Sequence, residues 1–346
     1  MKYLKERFKN LAPYTPVTHK TGVYLNANEA FYDTPYEIKK YISNYIMVHN
    51  LNRYPDDSCE RVKKAIARHY GVSEKNIAVG VGSDDLLDIL LRSTAAEKKV
   101  LSLDPSFSMY GIFTMMNEGE FVKIPLNDDF SFNVEKAVET VLRENPVVTF
   151  LCNPNNPTGA AAPSSELEKV IALGRGIVAV DEAYEDFYND SCVRLLAKYD
   201  NLCILRTFSK AYALASIRFG YAIANEEIIR MIDTVRAPYI MNTLSQEIAA
   251  YAIERFDLYR DKIRETVAER EYLYQELRAL GVKVWPSQTN FLLMVLGDDI
   301  KGKLNENNIF LRYIGPWSRV TVGTREENEI FLQVLRENLP EKEARP

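Results

Sequence analysis

Between residues 77 and 205 the chain repeats one pattern. A short apolar run ends abruptly in polar or turn-forming residues, and strand-like and helical patterns alternate from there. The runs cover 77–79, 99–103, 147–151, 177–180 and 202–205. Runs this short and this apolar read as strands buried on both faces. Strands alternating with helices predict an α/β fold, a mainly parallel central sheet with helices on both faces. In such sheets ligands bind beyond the carboxyl ends of the strands, so the residues just after each run are the first place to look for chemistry.

Composition narrows the partners. A chain of 346 residues, 47% of them hydrophobic, is long enough for two domains. A formal net charge of −5 with no basic block argues against nucleic acid or an anionic membrane as partner. Cys59, Cys152, Cys192 and Cys203 show no paired spacing, as expected of reduced thiols in a cytoplasmic protein. His19, His49 and His69 are scattered, which leaves no parts for a metal site or a Ser-His-Asp triad. The amino terminus lacks the apolar core of a secretory signal, and the longest aliphatic runs are far too short to span a bilayer.

The strand ends carry a coherent set of residues. Gly80-Val-Gly82 followed by Ser83 reads as a tight turn into a helix whose first amides favour an anion, with Ser83 as the cap. Tyr110 lies just beyond the second run, and Asn156 sits in the Asn153–Gly159 turn after the third. Asp181 and Tyr184 follow the fourth, and Thr207, Ser209, Lys210 and Arg218 follow the last. Singly, each has an ordinary reading as a cap, a rim aromatic or a surface charge. Together they suit a phosphate-bearing aldehyde cofactor such as pyridoxal 5'-phosphate. Lys210 can form a Schiff base with the aldehyde and move protons, and Asp181 can keep a pyridine nitrogen protonated. Asn156 and Tyr184 can bond the phenolic oxygen, and Tyr110 can lie on the ring face. Arg218, Thr207, Ser209 and the Ser83 region can hold the phosphate.

Residues 1–27 read as an N-terminal arm with a short extended piece at Val23-Tyr24-Leu25. Residues 28–250 read as the large cofactor-binding domain and 251–346 as a smaller α+β domain. In the latter, Arg312 and Arg319 sit in or beside apolar strands, where an arginine is a candidate clamp for a carboxylate or phosphate.

These motifs, in this order, resemble the fold-type I pyridoxal-phosphate aminotransferases, and within them the histidinol-phosphate aminotransferases. The resemblance runs through 25–29, 53–56, 82–85, 153–159, 181–184, 209–218, 286–291 and 319–324. The sequence departs from the family's pattern at Ala30-Phe31, Asp85 and Ala215-Ser216. The resemblance implies a phosphate contact from the Ser83-Asp84 turn and substrate clamps at Arg312, Arg319 and Asn156, with Tyr14 as a further phosphate contact. It also implies a homodimer in which Tyr54 reaches the partner's site, an amino donor and a keto acid as substrates, and transfer from histidinol phosphate to 2-oxoglutarate in histidine biosynthesis. A threonine-phosphate decarboxylase and a broad aromatic aminotransferase share the scaffold and remain open on these residues.

Overall fold

In a computed structural model, which describes residues 3–9, 11 and 21–339, the chain forms two sheets. After β1 (Val23–Leu25), which pairs in the smaller sheet, come β2 (Ile77–Gly80), β3 (Lys99–Asp104), β4 (Glu120–Pro125), β5 (Val148–Cys152), β6 (Ile177–Asp181), β7 (Leu202–Thr207) and β8 (Gly220–Ala224). They make a seven-stranded sheet in the order β2-β8-β7-β6-β5-β3-β4. The pairs from β7 across to β4 are parallel, and only β8 runs against its neighbours. Two strands escape the search for apolar runs. β4 is an edge strand with charged, exposed positions, and β8 follows directly on the Arg218 turn.

Period-two alternation sorts the strand residues into two cores. Val178, Val180, Leu202 and Ile204 pack with α2 (Glu60–Tyr70), α5 (Val134–Glu144), α6 (Ser164–Ile171) and α8 (Thr243–Glu254). Ala179, Cys203 and Leu205 pack with α3 (Ser83–Thr94), α4 (Met109–Met116) and α7 (Glu226–Val235). Leu86, Leu87, Leu90 and Leu91 of α3 are fully buried, each worth about 1.5–3 kcal/mol over exposure. Leu90→Ala would open a cavity in this core. The same alternation sends Asp181 and Thr207 towards the α3 side and Glu182 and Arg206 towards the other.

The smaller sheet runs β1-β11-β12-β10-β9, with β9 (Lys283–Val284), β10 (Phe291–Val295), β11 (Ile309–Ile314) and β12 (Trp317–Thr321). β1 lies parallel to β11, so the end of the stretch expected to be an arm is a strand of this sheet. Leu25 is buried in its core with Leu277 of α9 (Asp257–Ala279), Leu304 of α10 (Asp298–Glu306) and Phe331 of α11 (Arg325–Asn338). A capping box between Thr324 and Glu327 starts α11 immediately after β12. Among the described residues no helix is long and apolar enough to cross a membrane.

Candidate active site

The carboxyl ends of β6 and β7 bring Asp181 and Lys210 to the edge of the large sheet. Asp181 is buried, and its carboxylate accepts hydrogen bonds from two neutral donors: Tyr110 Oη at 2.7 Å and the Ala183 amide at 3.1 Å. Burial pushes this carboxyl up to about 6, against the pull of those two bonds. Tyr110, expected on the face of a ligand ring, is fully buried. It stacks on Phe150 at 4.7 Å and braces Asp181 from behind. Its place in the first turn of α4, over the sheet, accounts for that position.

Lys210 is half-buried. Its Nζ donates to the Ala27 carbonyl at 3.1 Å and stands 5.8 Å from the centre of the Tyr184 ring. Withdrawal from water lowers the amine to about 8, helped by the positive charge of Arg319 and opposed by Glu29 and Asp84. Tyr184 is buried with its ring edge-on to Phe291, and its hydroxyl accepts from Asn28 Nδ2 at 2.8 Å.

A second cluster lies at the start of α3. Gly82, not Ser83, occupies the cap position, with φ +83°, and Ser83 and Asp84 form the first helical turn. A Cβ on Gly82 would lie 2.7 Å from Arg218 Nη2, and one on Gly220 would lie 2.3 Å from the Ser83 amide nitrogen. Only glycine lets the Arg218 side chain and the helix start approach this closely. Arg218 Nη1 donates to Ser209 Oγ at 3.2 Å, and the Ser209 amide donates to Thr207 Oγ1 at 3.1 Å. Arg218 Nη2 stands 4.0 Å from Asp84, whose carboxyl is raised by burial. Amides, hydroxyls and a guanidinium thus converge on one small space, as an oxyanion requires.

A third cluster is built from the small sheet. Arg319 is buried; its Nη1 bonds Asn156 Oδ1, and its Nη2 donates to the Asn26 carbonyl at 3.0 Å. Arg312 is its cross-strand partner and is exposed, so two guanidinium stems share one face of the sheet. Tyr54 stands apart, 81% exposed and stacked on Tyr239. Tyr14 lies outside the described residues. Asn28 is the residue that motif reading missed as an individual. The only signal was its place among the polar residues of 25–29, because its contacts lie 156 and 293 positions away.

Residues 20–335 match the aminotransferase class I and II family. The chain belongs to that family. Members of this family are pyridoxal-phosphate enzymes, and the protein is an aminotransferase. It is 35% identical, over 97% of its length and 98% of the relative's, to the histidinol-phosphate aminotransferase of Caldanaerobacter subterraneus subsp. tengcongensis. It is 36% identical to that of Clostridium novyi, over 98% of each chain. Its fold matches the histidinol-phosphate aminotransferase of Sinorhizobium meliloti, solved in complex with pyridoxal-5'-phosphate, with a TM-score of 0.87. That match covers 97% of this aminotransferase and 98% of the other chain at 23% identity.

Proposed function

We propose that this aminotransferase moves an amino group from histidinol phosphate to 2-oxoglutarate with pyridoxal 5'-phosphate as cofactor. Two observations test whether the residues fit that cofactor. Among the described residues the buried Asp181 carboxylate receives only neutral donors, and the glycine-lined space beside Arg218 would be filled by a single Cβ. A protonated ring nitrogen suits the first and a phosphate the second. Asp181 would hold the ring nitrogen, Asn156 and Tyr184 the phenolic oxygen, and Ser83, Asp84, Thr207, Ser209 and Arg218 the phosphate. When bound, the cofactor supplies an electron sink that carries the amino group between the two substrates.

The chain's own residues then have separable tasks. Lys210, with an amine lowered to about 8, is poised to give and take a proton at Nζ near neutral pH. Asp181 stays buried and bonded, so its charge is held at one point. Arg319 and Arg312 present adjacent guanidinium groups to a carboxylate or a phosphate, which serves both a phosphorylated donor and a dicarboxylate acceptor. The names of relatives 35–36% identical over nearly the whole chain support the choice of histidinol phosphate.

The surface also favours a homodimer. Tyr36, Met47, Val48, Leu51 and Tyr54 leave an exposed apolar surface along and beyond α1 (Tyr36–Val48), of which only Ile38 is buried. A second copy would cover that surface and give Tyr54 a ligand to reach.

The observation that carries the proposal is that Lys210 and Asp181 stand at the carboxyl ends of strands of the large sheet, and Arg319 of the small sheet reaches Asn156 at the end of another. The test is a single-turnover absorbance scan of the yellow holoenzyme mixed with histidinol phosphate and no keto acid. The visible band should bleach to a stable near-ultraviolet band. Persistence with histidinol phosphate, and bleaching with an aromatic amino acid, would reassign the substrate. Release of carbon dioxide from threonine phosphate would replace transfer by decarboxylation.

A further inference from the structure

We infer that Asn28 is a positioning residue that fixes the direction of the Tyr184 hydrogen bond, so that the Tyr184 hydroxyl donates into the site. Asn28 is 1% exposed and adopts φ +54°, a left-handed conformation that asparagine tolerates better than most residues. Every polar group it has is engaged. Its amide N–H donates to Thr321 Oγ1 at 3.0 Å, and its carbonyl accepts from Asn290 Nδ2 at 3.1 Å. Thr321 Oγ1, already accepting from that N–H, donates its own proton to Asn28 Oδ1 at 3.2 Å. That leaves Nδ2 on the other side, where it donates to Tyr184 Oη at 2.8 Å.

The chain of donors has one direction. A flipped amide would place Nδ2 against Thr321 Oγ1 and leave the threonine proton without its acceptor. With the amide so held, the Tyr184 oxygen is an acceptor from Asn28 and its proton points elsewhere. Among the described residues that proton meets no acceptor in the hydrogen bonds of this buried hydroxyl. A buried O–H without a protein acceptor is a donor reserved for a ligand oxygen. The relay begins at β12, two residues beyond Arg319, so the small sheet that holds the substrate clamp also sets the polarity of Tyr184 in the large domain.

The inference rests on the cofactor reading above, and the test separates the two. The readout is the pH midpoint of the visible band of the purified holoenzyme. Donation by Tyr184 favours a deprotonated oxygen on the bound group, so losing it raises the midpoint. Asn28→Asp keeps the left-handed backbone but turns the relay round, because the new oxygen accepts from Tyr184. The expected shift is upward by about one pH unit, the scale of one ordinary hydrogen bond. In a Tyr184→Phe background the same substitution should add almost nothing. Thr321→Val, which introduces no charge and releases the Asn28 amide, should give a smaller upward shift that also vanishes in that background.

Unchanged midpoints in Asn28→Asp and Thr321→Val would overturn the inference while leaving the cofactor assignment intact. So would an equal Asn28→Asp shift with and without the Tyr184 hydroxyl, since the added charge alone would then explain it. If Asn28→Asp does not fold, Thr321→Val decides by the same criterion. A wild-type protein that never carries the visible band would overturn the cofactor reading and this inference with it.

Discussion

Two faces of the same pair of strands treat charge in opposite ways. β6 runs out through Asp181 into Glu182, β7 ends in Arg206-Thr207, and the two residues of each pair fall on opposite sides. On the side of α2 and α8, Arg206 is 3% exposed and bonds Glu182 at 3.0 Å, Asp186 at 2.8 Å and also Glu185. Its guanidinium stands over the Tyr70 ring, and Glu182 takes further bonds from Ser191 Oγ and the Cys192 amide. On the other side, among the described residues, Asp181 accepts only from a phenol and an amide. The first charge is satisfied by its neighbours, and among the described residues the second has no cationic partner. Buried ionic groups of similar type, a residue apart, are thus paired in one case and, on the reading proposed above, left for chemistry in the other.

The largest effect expected from breaking this division is on the chemical side. Lys210→Ala should abolish turnover while the fold and non-covalent cofactor binding persist, because nucleophile and proton carrier are one residue. Steady-state assays and the absorbance of the dialysed protein check both halves. Full activity in that variant would remove Lys210 from the mechanism.

The structural side should respond in stability. Arg206→Met leaves Glu182, Glu185 and Asp186 facing each other without their cation, and burial already raises Glu182 and Asp186. Removing one partner of a buried ion pair costs about 3–5 kcal/mol, which denaturant unfolding of the ligand-free protein would register. A change below about 1 kcal/mol, within the range of an exposed pair, would show that the cluster is not held as the geometry indicates.

Arg319 touches both regimes, since it is buried like Arg206 and donates to two neutral oxygens, Asn156 Oδ1 and the Asn26 carbonyl. Arg319→Ala should weaken both the phosphorylated donor and the dicarboxylate by roughly 2–5 kcal/mol, the scale for truncating a buried charged contact. Binding titrations of each ligand would show it, and loss of only one would mean the clamp is not shared.

The parts legible in the sequence and the parts hidden from it divide along the same line. Lys210, Asp181, Asn156 and Arg218 could be read because each follows an apolar run, and a parallel sheet collects the ends of such runs at one edge. The five apolar runs of the large sheet and the hairpin strands of the small one were legible for the same local reason. Tyr110 could be named but not oriented, because its partner Asp181 lies 71 positions away. Asn28 and the Asn26 and Ala27 carbonyls were hidden because β1 had to pair with β11 before they could face the site. Nor does any spacing announce that Arg206 belongs to Glu182 rather than to a phosphate. That follows only from the side of the pleat on which each falls.

The smallest effect is the most direct comparison of the two faces, and it is read through pH. In the ligand-free protein Asp181 titrates near 6, above its ordinary value of 3.8, because burial disfavours the ionised form. Between those values the unfolded chain has released the proton and the folded chain still holds it. The folded state therefore binds more protons, and the stability contributed by this group falls as pH rises. It is fully present below about 4 and lost once pH passes about 6, with about 3 kcal/mol as the upper scale for a shift of this size. Asp181→Asn, which cannot ionise, should unfold like the wild type at pH 4 and be the more stable protein at pH 7, although it loses activity. Phosphate-free urea titrations at the two values would show the crossover. Cofactor should erase the advantage by giving the wild-type carboxylate its cation. A variant equally destabilised at both values would mean that Asp181 is paired within the chain, as Glu182 is, and the contrast between the two faces would fail.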